Sequence, residues 1–204
     1  MSVEFNIPLD ALKIPGTNLI DTLSRVNVTK AKLTMRPALV AGRIQGTTKP
    51  ATVTVGAHAG YSLPIYNSDY EELFFRDYVP GRWDGASNIT CTVICCLATT
   101  QTGGVTKDFK LQLMYENHPS GGTITASTHD LTANITCVAN EAQYKLHYAT
   151  FTIDWDAFSP NIAASDHLGL RLYRIAADGT AITGNVINLD VLLTYQVDKV
   201  FKAI

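Results

Sequence analysis

Asp154 and Asp156 flank Trp155, and two carboxylates beside an aromatic ring are the minimal equipment of a glycosidase, whose acids must stand on either side of one bond. Strand alternation, however, puts both aspartates on the face opposite Trp155, so they read as solvated acids at a strand end beside a core tryptophan. The five histidines, His58, His118, His129, His147 and His167, are scattered, with no pair at metal-ligand spacing. A cupin-type metal site would need histidine and carboxylate ligands gathered on adjacent strands. Asp69, Glu71, Glu72 and Asp77 read as a solvated acidic edge, although a calcium site built from loop oxygens would use the same residues. The chain carries no phosphate loop, dinucleotide-binding glycine fingerprint, nucleophile elbow or HExxH motif. The expectation is a chain that is not an enzyme, with no catalytic residue, no cofactor and no metal.

Cys91, Cys95 and Cys96 lie within six positions of one expected strand, and Cys137 stands apart. Zinc ligands must converge on a tetrahedron, which an extended strand does not offer. Free buried thiols acting as small hydrophobes are the favoured reading, and a Cys91–Cys137 or Cys95–Cys137 bridge stays open. Tyr61, Tyr66, Tyr70 and Trp83 fall in or near loops at what would be one end of the fold, where sugar rings can stack on them; packing of a long loop against the body uses the same residues. Arg171 and Arg174 have opposite parity, so one must point to the apolar face and needs a carboxylate or carbonyl there. Asp190 is a candidate partner.

These residues need a scaffold, and the composition specifies its class. Of 204 residues, 46% are hydrophobic and only 17% charged, with threonine plentiful and helix-forming Glu and Lys sparse, which favours strands. A net charge of −2 without basic runs argues against sequence-independent nucleic-acid binding. No transmembrane stretch is present. The N-terminus lacks a signal peptide, so synthesis in the cytosol is expected, with no membrane partner.

The stretch from Tyr78 to Ala98 organises the rest. Pro80-Gly81 and Asp84-Gly85 reverse the chain around Trp83, and Ile89, Cys91, Val93, Cys95 and Leu97 then alternate with Thr90, Thr92, Ile94, Cys96 and Ala98. With one face apolar and the other half apolar, this strand belongs in the middle of a sheet. Further strands are expected over 71–78, 106–116, 131–138, 145–155, 167–175 and 187–197, with 106–116 pairing 88–98 through Gly103-Gly104. Residues 58–72 read as an irregular connection. About eight strands and no helix suit an antiparallel two-sheet, jelly-roll-like sandwich over 25–204. Residues 1–24 read as an extended arm whose Phe5, Ile7, Leu9, Leu12 and Ile14 would be buried against a neighbour.

Val79-Pro80, Trp83-Asp84-Gly85, Leu168 to Arg174 and Val191 to Tyr195, in this order and spacing, resemble a recurrent jelly-roll domain of tailed-bacteriophage virion proteins, of capsid-decorating, head-fibre and tail-associated types. The resemblance covers roughly residues 70–197, with Ser165-Asp166-His167 standing where that family has Gly-Asp. It implies a non-enzymatic structural component of a phage-like virion, with no catalytic residues. The expectation is a protein found in the virion, self-associating as a trimer and attached to capsid or tail proteins. The alternative is a carbohydrate-binding, host-receptor module using Tyr61, Tyr66, Tyr70 and Trp83.

Overall fold

Large apolar residues alternating with Thr, Gln and Lys commit a backbone to sheet, where one face is buried and the other wetted. The computed structural model describes residues 31–44, 50–64, 71–119, 121–123, 128–158 and 160–197. Among these residues there are eleven strands and no helix: β1 (Ala31–Met35), β2 (Ala38–Ile44), β3 (Thr52–Val55), β4 (His58–Leu63), β5 (Glu71–Tyr78), β6 (Ile89–Leu97), β7 (Lys107–His118), β8 (His129–Cys137), β9 (Leu146–Ile153), β10 (His167–Ile175) and β11 (Val186–Val197). The expected arm residues Phe5, Ile7, Leu9, Leu12 and Ile14, and also Tyr66, Asp69 and Tyr70, lie outside the described residues.

Sheet one runs β3-β4-β11-β6-β9, with β1 also pairing β11, and sheet two runs β2-β5-β10-β7-β8. From β4 onward the strands fall in sheets one, two, one, two, two, one, two and one. This winding, with β4-β11-β6-β9 facing β5-β10-β7-β8, is the jelly roll. The protein is an all-β, antiparallel two-sheet sandwich, and β1, β2 and β3 widen its sheets. The core lies between the sheets, where Leu73, Val93, Phe109, Leu113, Leu172 and Leu193 are fully buried; each such side chain contributes about 1.5–3 kcal/mol.

The corner leading into β6 carries the chain from sheet two to sheet one. The Trp83 amide donates to the Pro80 carbonyl (2.9 Å) and the Asp84 amide to the Gln196 carbonyl (3.0 Å). The Asp84 carboxylate accepts from the amides of Ala86 and Ser87 and from the Ser87 hydroxyl, and Gly85 supplies φ +72°, a conformation that glycine adopts without penalty. Trp83 closes a bridge to Val197, so the corner is sealed onto the end of β11. As its alternation predicts, β6 sits between β11 and β9.

Two expectations about elements are corrected. Strand β7 does not pair β6: it lies in the other sheet, between β10 and β8. The Gly103-Gly104 segment, with φ of +104° and +67°, therefore carries a crossover between sheets instead of a hairpin. Residues 58–63, read as irregular, form β4, paired with β3 and β11. Gly60 has the reason: a Cβ there would stand 2.5 Å from the Asn188 carbonyl oxygen and 2.8 Å from the Ile187 side chain. Close strand approach, not chain reversal, demands that glycine.

Candidate functional site

On the outer face of sheet two, register sets three rows of side chains across β5, β10 and β7. Tyr78, His167 and His118 form the first, Arg76, Gly169 and Glu116 the second, and Phe74, Arg171 and Met114 the third. Glycine at the centre of the middle row leaves a depression with taller neighbours on every side. It forms a groove of about 390 Å³, lined by Phe74, Arg76, Met114, Glu116, His167 and Arg171 around the Gly169 backbone. A Cβ at Gly169 would come within 2.8 Å of Glu116 Oε1, so even alanine would displace that carboxylate.

Arg171 is held in place by a salt bridge to the buried carboxylate of Glu72. Its guanidinium lies 5.1 Å from the Tyr173 ring centre and 5.9 Å from that of Phe74, in the geometry of cation–π contacts. His167 packs edge-on against Tyr78 at 5.2 Å and stacks with His118 at 6.5 Å. The His118 ring is buried, with Nε2 3.4 Å from Glu116 Oε1 but in poor geometry for a hydrogen bond. These walls are therefore braced by neighbouring side chains, while Arg76 is exposed and Glu116 and His167 are half-buried. Such a surface offers planar donors and acceptors around an apolar patch, which suits neutral polar ligands bound by stacking and bidentate hydrogen bonds.

The residues singled out from sequence fall elsewhere. Trp83 is only 4% exposed, so its ring is part of the core and not a platform for a sugar; a large ring in a sharp turn is buried by the turn itself. Tyr61 lies half-buried on β4. Asp154 is an exposed acid at the end of β9 that accepts from Asn88 Nδ2 at 2.6 Å, and Asp156 is exposed beside it. The four cysteines are free thiols, all buried. Glu72 is not part of a solvated edge but is 2% exposed. Asp77 points the opposite way, into the sandwich, where it accepts from the Tyr195 hydroxyl at 3.4 Å. Burial pushes Asp77 up from its ordinary value, against the lowering by the Tyr78 amide and Tyr195. With opposite orientations, Glu72 and Asp77 do not converge on a cation.

Arg174 is the inward arginine, and its partner is the Gly184 carbonyl at 2.8 Å. Burial lowers it to about 10. Asp190 instead pairs with Arg36 at 2.7 Å, because β1 lies along the free edge of β11 there. The residues that carry the bacteriophage resemblance are also structural: Val79, Trp83, Leu168 and Tyr195 are all buried. The groove escaped sequence reasoning because it depends on cross-strand register; its one local signal is the glycine inside the alternating run of β10.

A second surface lies on the outer face of sheet one. Tyr144, Leu146 and Tyr148 are 43%, 47% and 61% exposed and border a shallow hollow of about 440 Å³ with Ile94 and Leu189.

The chain is thus a jelly roll with an open groove on one sheet. Neither a protein-family model nor a curated protein matches the chain. Among solved structures it is similar to the xylan-binding module CBM15, at 13% identity and a TM-score of 0.46 over 83% of this chain and 100% of that one. It is also similar to TmCBM27, a carbohydrate-binding module with specific mannan recognition, at 12% identity and a TM-score of 0.36 over 80% and 89% of the two chains. A third is the enzymatically active domain of tailspike protein 4 from bacteriophage CBA120, at 9% identity and 0.36, with 82% of this chain matching 19% of that one.

Proposed function

We propose that this chain is a non-enzymatic carbohydrate-binding β-sandwich that takes an oligosaccharide in the groove over Gly169. The observation that carries this reading is the depression itself, where backbone forms the floor and Phe74, Arg76, Glu116, His167 and Arg171 form the walls. A sugar presents one apolar face and a rim of hydroxyls. Phe74 and Met114 meet the first, and the forked guanidinium of Arg76 and the Glu116 carboxylate meet the second. In a glycan-array screen followed by calorimetry, the wild-type chain is expected to bind at least one oligosaccharide. Phe74→Ala and Arg76→Ala should each weaken it at least ten-fold at a temperature where both variants remain fully folded by circular dichroism. Absence of any glycan bound by the wild type, or full affinity in both variants, would sink the reading.

A second reading is a structural component of a phage-like virion, self-associating as a trimer and attached to capsid or tail proteins. It is supported by the resemblance over residues 70–197 and by the exposed Tyr144, Leu146 and Tyr148, an apolar surface suited to contact between subunits. Mass photometry is expected to give an oligomer that Tyr148→Glu dissociates; a monomer for the wild type at every concentration would reject this interface.

A further inference from the structure

The β8–β9 crossover gathers three metal-ligating side chains that no pairwise spacing in the sequence announces. Cys137 is the final residue of β8 in sheet two, His147 is the second residue of β9 in sheet one, and Glu141 sits in the loop between. Cys137 Sγ lies 3.9 Å from His147 Nε2, and Nε2 lies 3.5 Å from Glu141 Oε2. All three ligand atoms fall within 4.8 Å of one another. Ligands about 2.0–2.3 Å from a tetrahedral zinc stand roughly 3.3–3.6 Å apart, so small rotamer shifts would close these atoms around one ion.

The loop is fixed before any ion arrives. The Gln101 amide donates to the Glu141 carbonyl (2.8 Å) and the Tyr144 amide to the Leu97 carbonyl (2.9 Å). Gln143 Nε2 donates to the Ala98 carbonyl (2.7 Å), and the Val138 amide holds Glu141 Oε2 at 3.1 Å. Asn140 and Tyr144 adopt left-handed φ of 56° and 64°, which turns the loop tightly enough to aim Glu141 back at the strand ends.

The three ligating groups are also shielded from solvent. Cys137 is fully buried and Glu141 is 6% exposed. Burial pushes the Cys137 thiol up to about 12, with the Glu141 carboxylate adding to it. Burial also lowers His147 despite that carboxylate, and Lys145 lowers it further. Asp108 and Arg174 also face Cys137, with opposite effects, and Arg174 is engaged by the Gly184 carbonyl. A buried carboxylate thus stands beside a thiol and an imidazole, a donor set that one transition-metal ion can take.

We propose that Cys137 Sγ, Glu141 Oε2 and His147 Nε2 form a binding site for zinc or a similar borderline divalent transition metal, fastening sheet two to sheet one. The thiolate, imidazole and carboxylate set favours such ions over calcium or magnesium. As the metal–sulfur bond forms, the thiol proton leaves to solvent. With three protein ligands, water takes the remaining position.

Cobalt(II) titration of the full-length, chelator-treated protein tests this directly. One equivalent should produce a near-ultraviolet thiolate-to-cobalt band and visible bands of a tetrahedral ion, and zinc should abolish both and raise the melting temperature. Cys137→Ser should lose the thiolate band and His147→Gln should weaken binding at least ten-fold, whereas Cys96→Ser should behave as wild type. Glu141→Gln, which keeps the loop's backbone bonds, serves if Cys137→Ser fails to fold, and should likewise weaken binding at least ten-fold. No thiolate band in the wild type, a band that Cys96→Ser abolishes, or unchanged affinity in His147→Gln or Glu141→Gln would overturn the assignment.

Discussion

Truncating Trp83 to alanine is expected to lower the unfolding free energy by about 3–5 kcal/mol, the usual cost of emptying a buried tryptophan site. The ring is 4% exposed and sits where the corner meets Val197, so its removal opens a void at the seam between the entry to β6 and the end of β11. A domain of this size is stabilised by about 5–15 kcal/mol in total, and the variant should unfold at a much lower urea concentration with an unchanged slope. A loss below about 1 kcal/mol would mean that the corner packs independently of the core. With the expected large loss, any glycan-binding defect of this variant would report instability and not a lost contact, which separates Trp83 from Phe74 and Arg76.

Glu72→Ala should cost about 3 kcal/mol, because removing one partner of a buried ion pair strands the other charge. The Glu72 side chain is 3% exposed and that of Arg171 29%, which places the cost at the lower end for such pairs. Arg171 Nε has no hydrogen-bond partner and Nη1 donates to the Met114 sulfur at 3.4 Å, a weak acceptor, so without Glu72 the guanidinium would swing outward over the groove. The double variant Glu72→Met/Arg171→Met should recover most of the loss, and a double-mutant cycle would measure the coupling. If Glu72→Ala costs under about 1 kcal/mol, as exposed pairs do, the pair is effectively solvated and does not fix the groove wall.

Strands that alternate cleanly were legible one at a time. In β7, β9, β10 and β11 the inward residues Phe109, Phe151, Leu170 and Leu193 are those the period-two pattern selects, and they are buried. Pairing was less legible, because alternation fixes which face a strand buries and not which neighbour it has. A glycine pair between two alternating runs reads as a hairpin, yet here it carries the chain to the opposite sheet. Glycine inside β4 and β10 answers to neighbouring strands, Asn188 in one case and Glu116 in the other, so its meaning appears only with register. The groove and the Cys137, Glu141 and His147 trio have the same origin: their residues share no local motif, and only the stacking of β5, β10 and β7, or the crossover from β8 to β9, brings them together.

The position of β11 has a consequence for how the chain is made. This strand pairs β6 through residues 186–194 and β4 through 186–188, partners lying some hundred residues or more earlier. On the ribosome, β4 and β6 therefore emerge long before the strand that separates them, whereas β7 gains its partners β8 and β10 sooner after its own synthesis. Until β11 arrives, a nascent chain carries two open sheet edges facing the same vacancy, and long-range pairing of this kind forms slowly. Those edges are templates for strands of other chains, so yield in a heterologous host should depend on translation speed and chaperone supply more than on the stability of the finished sandwich.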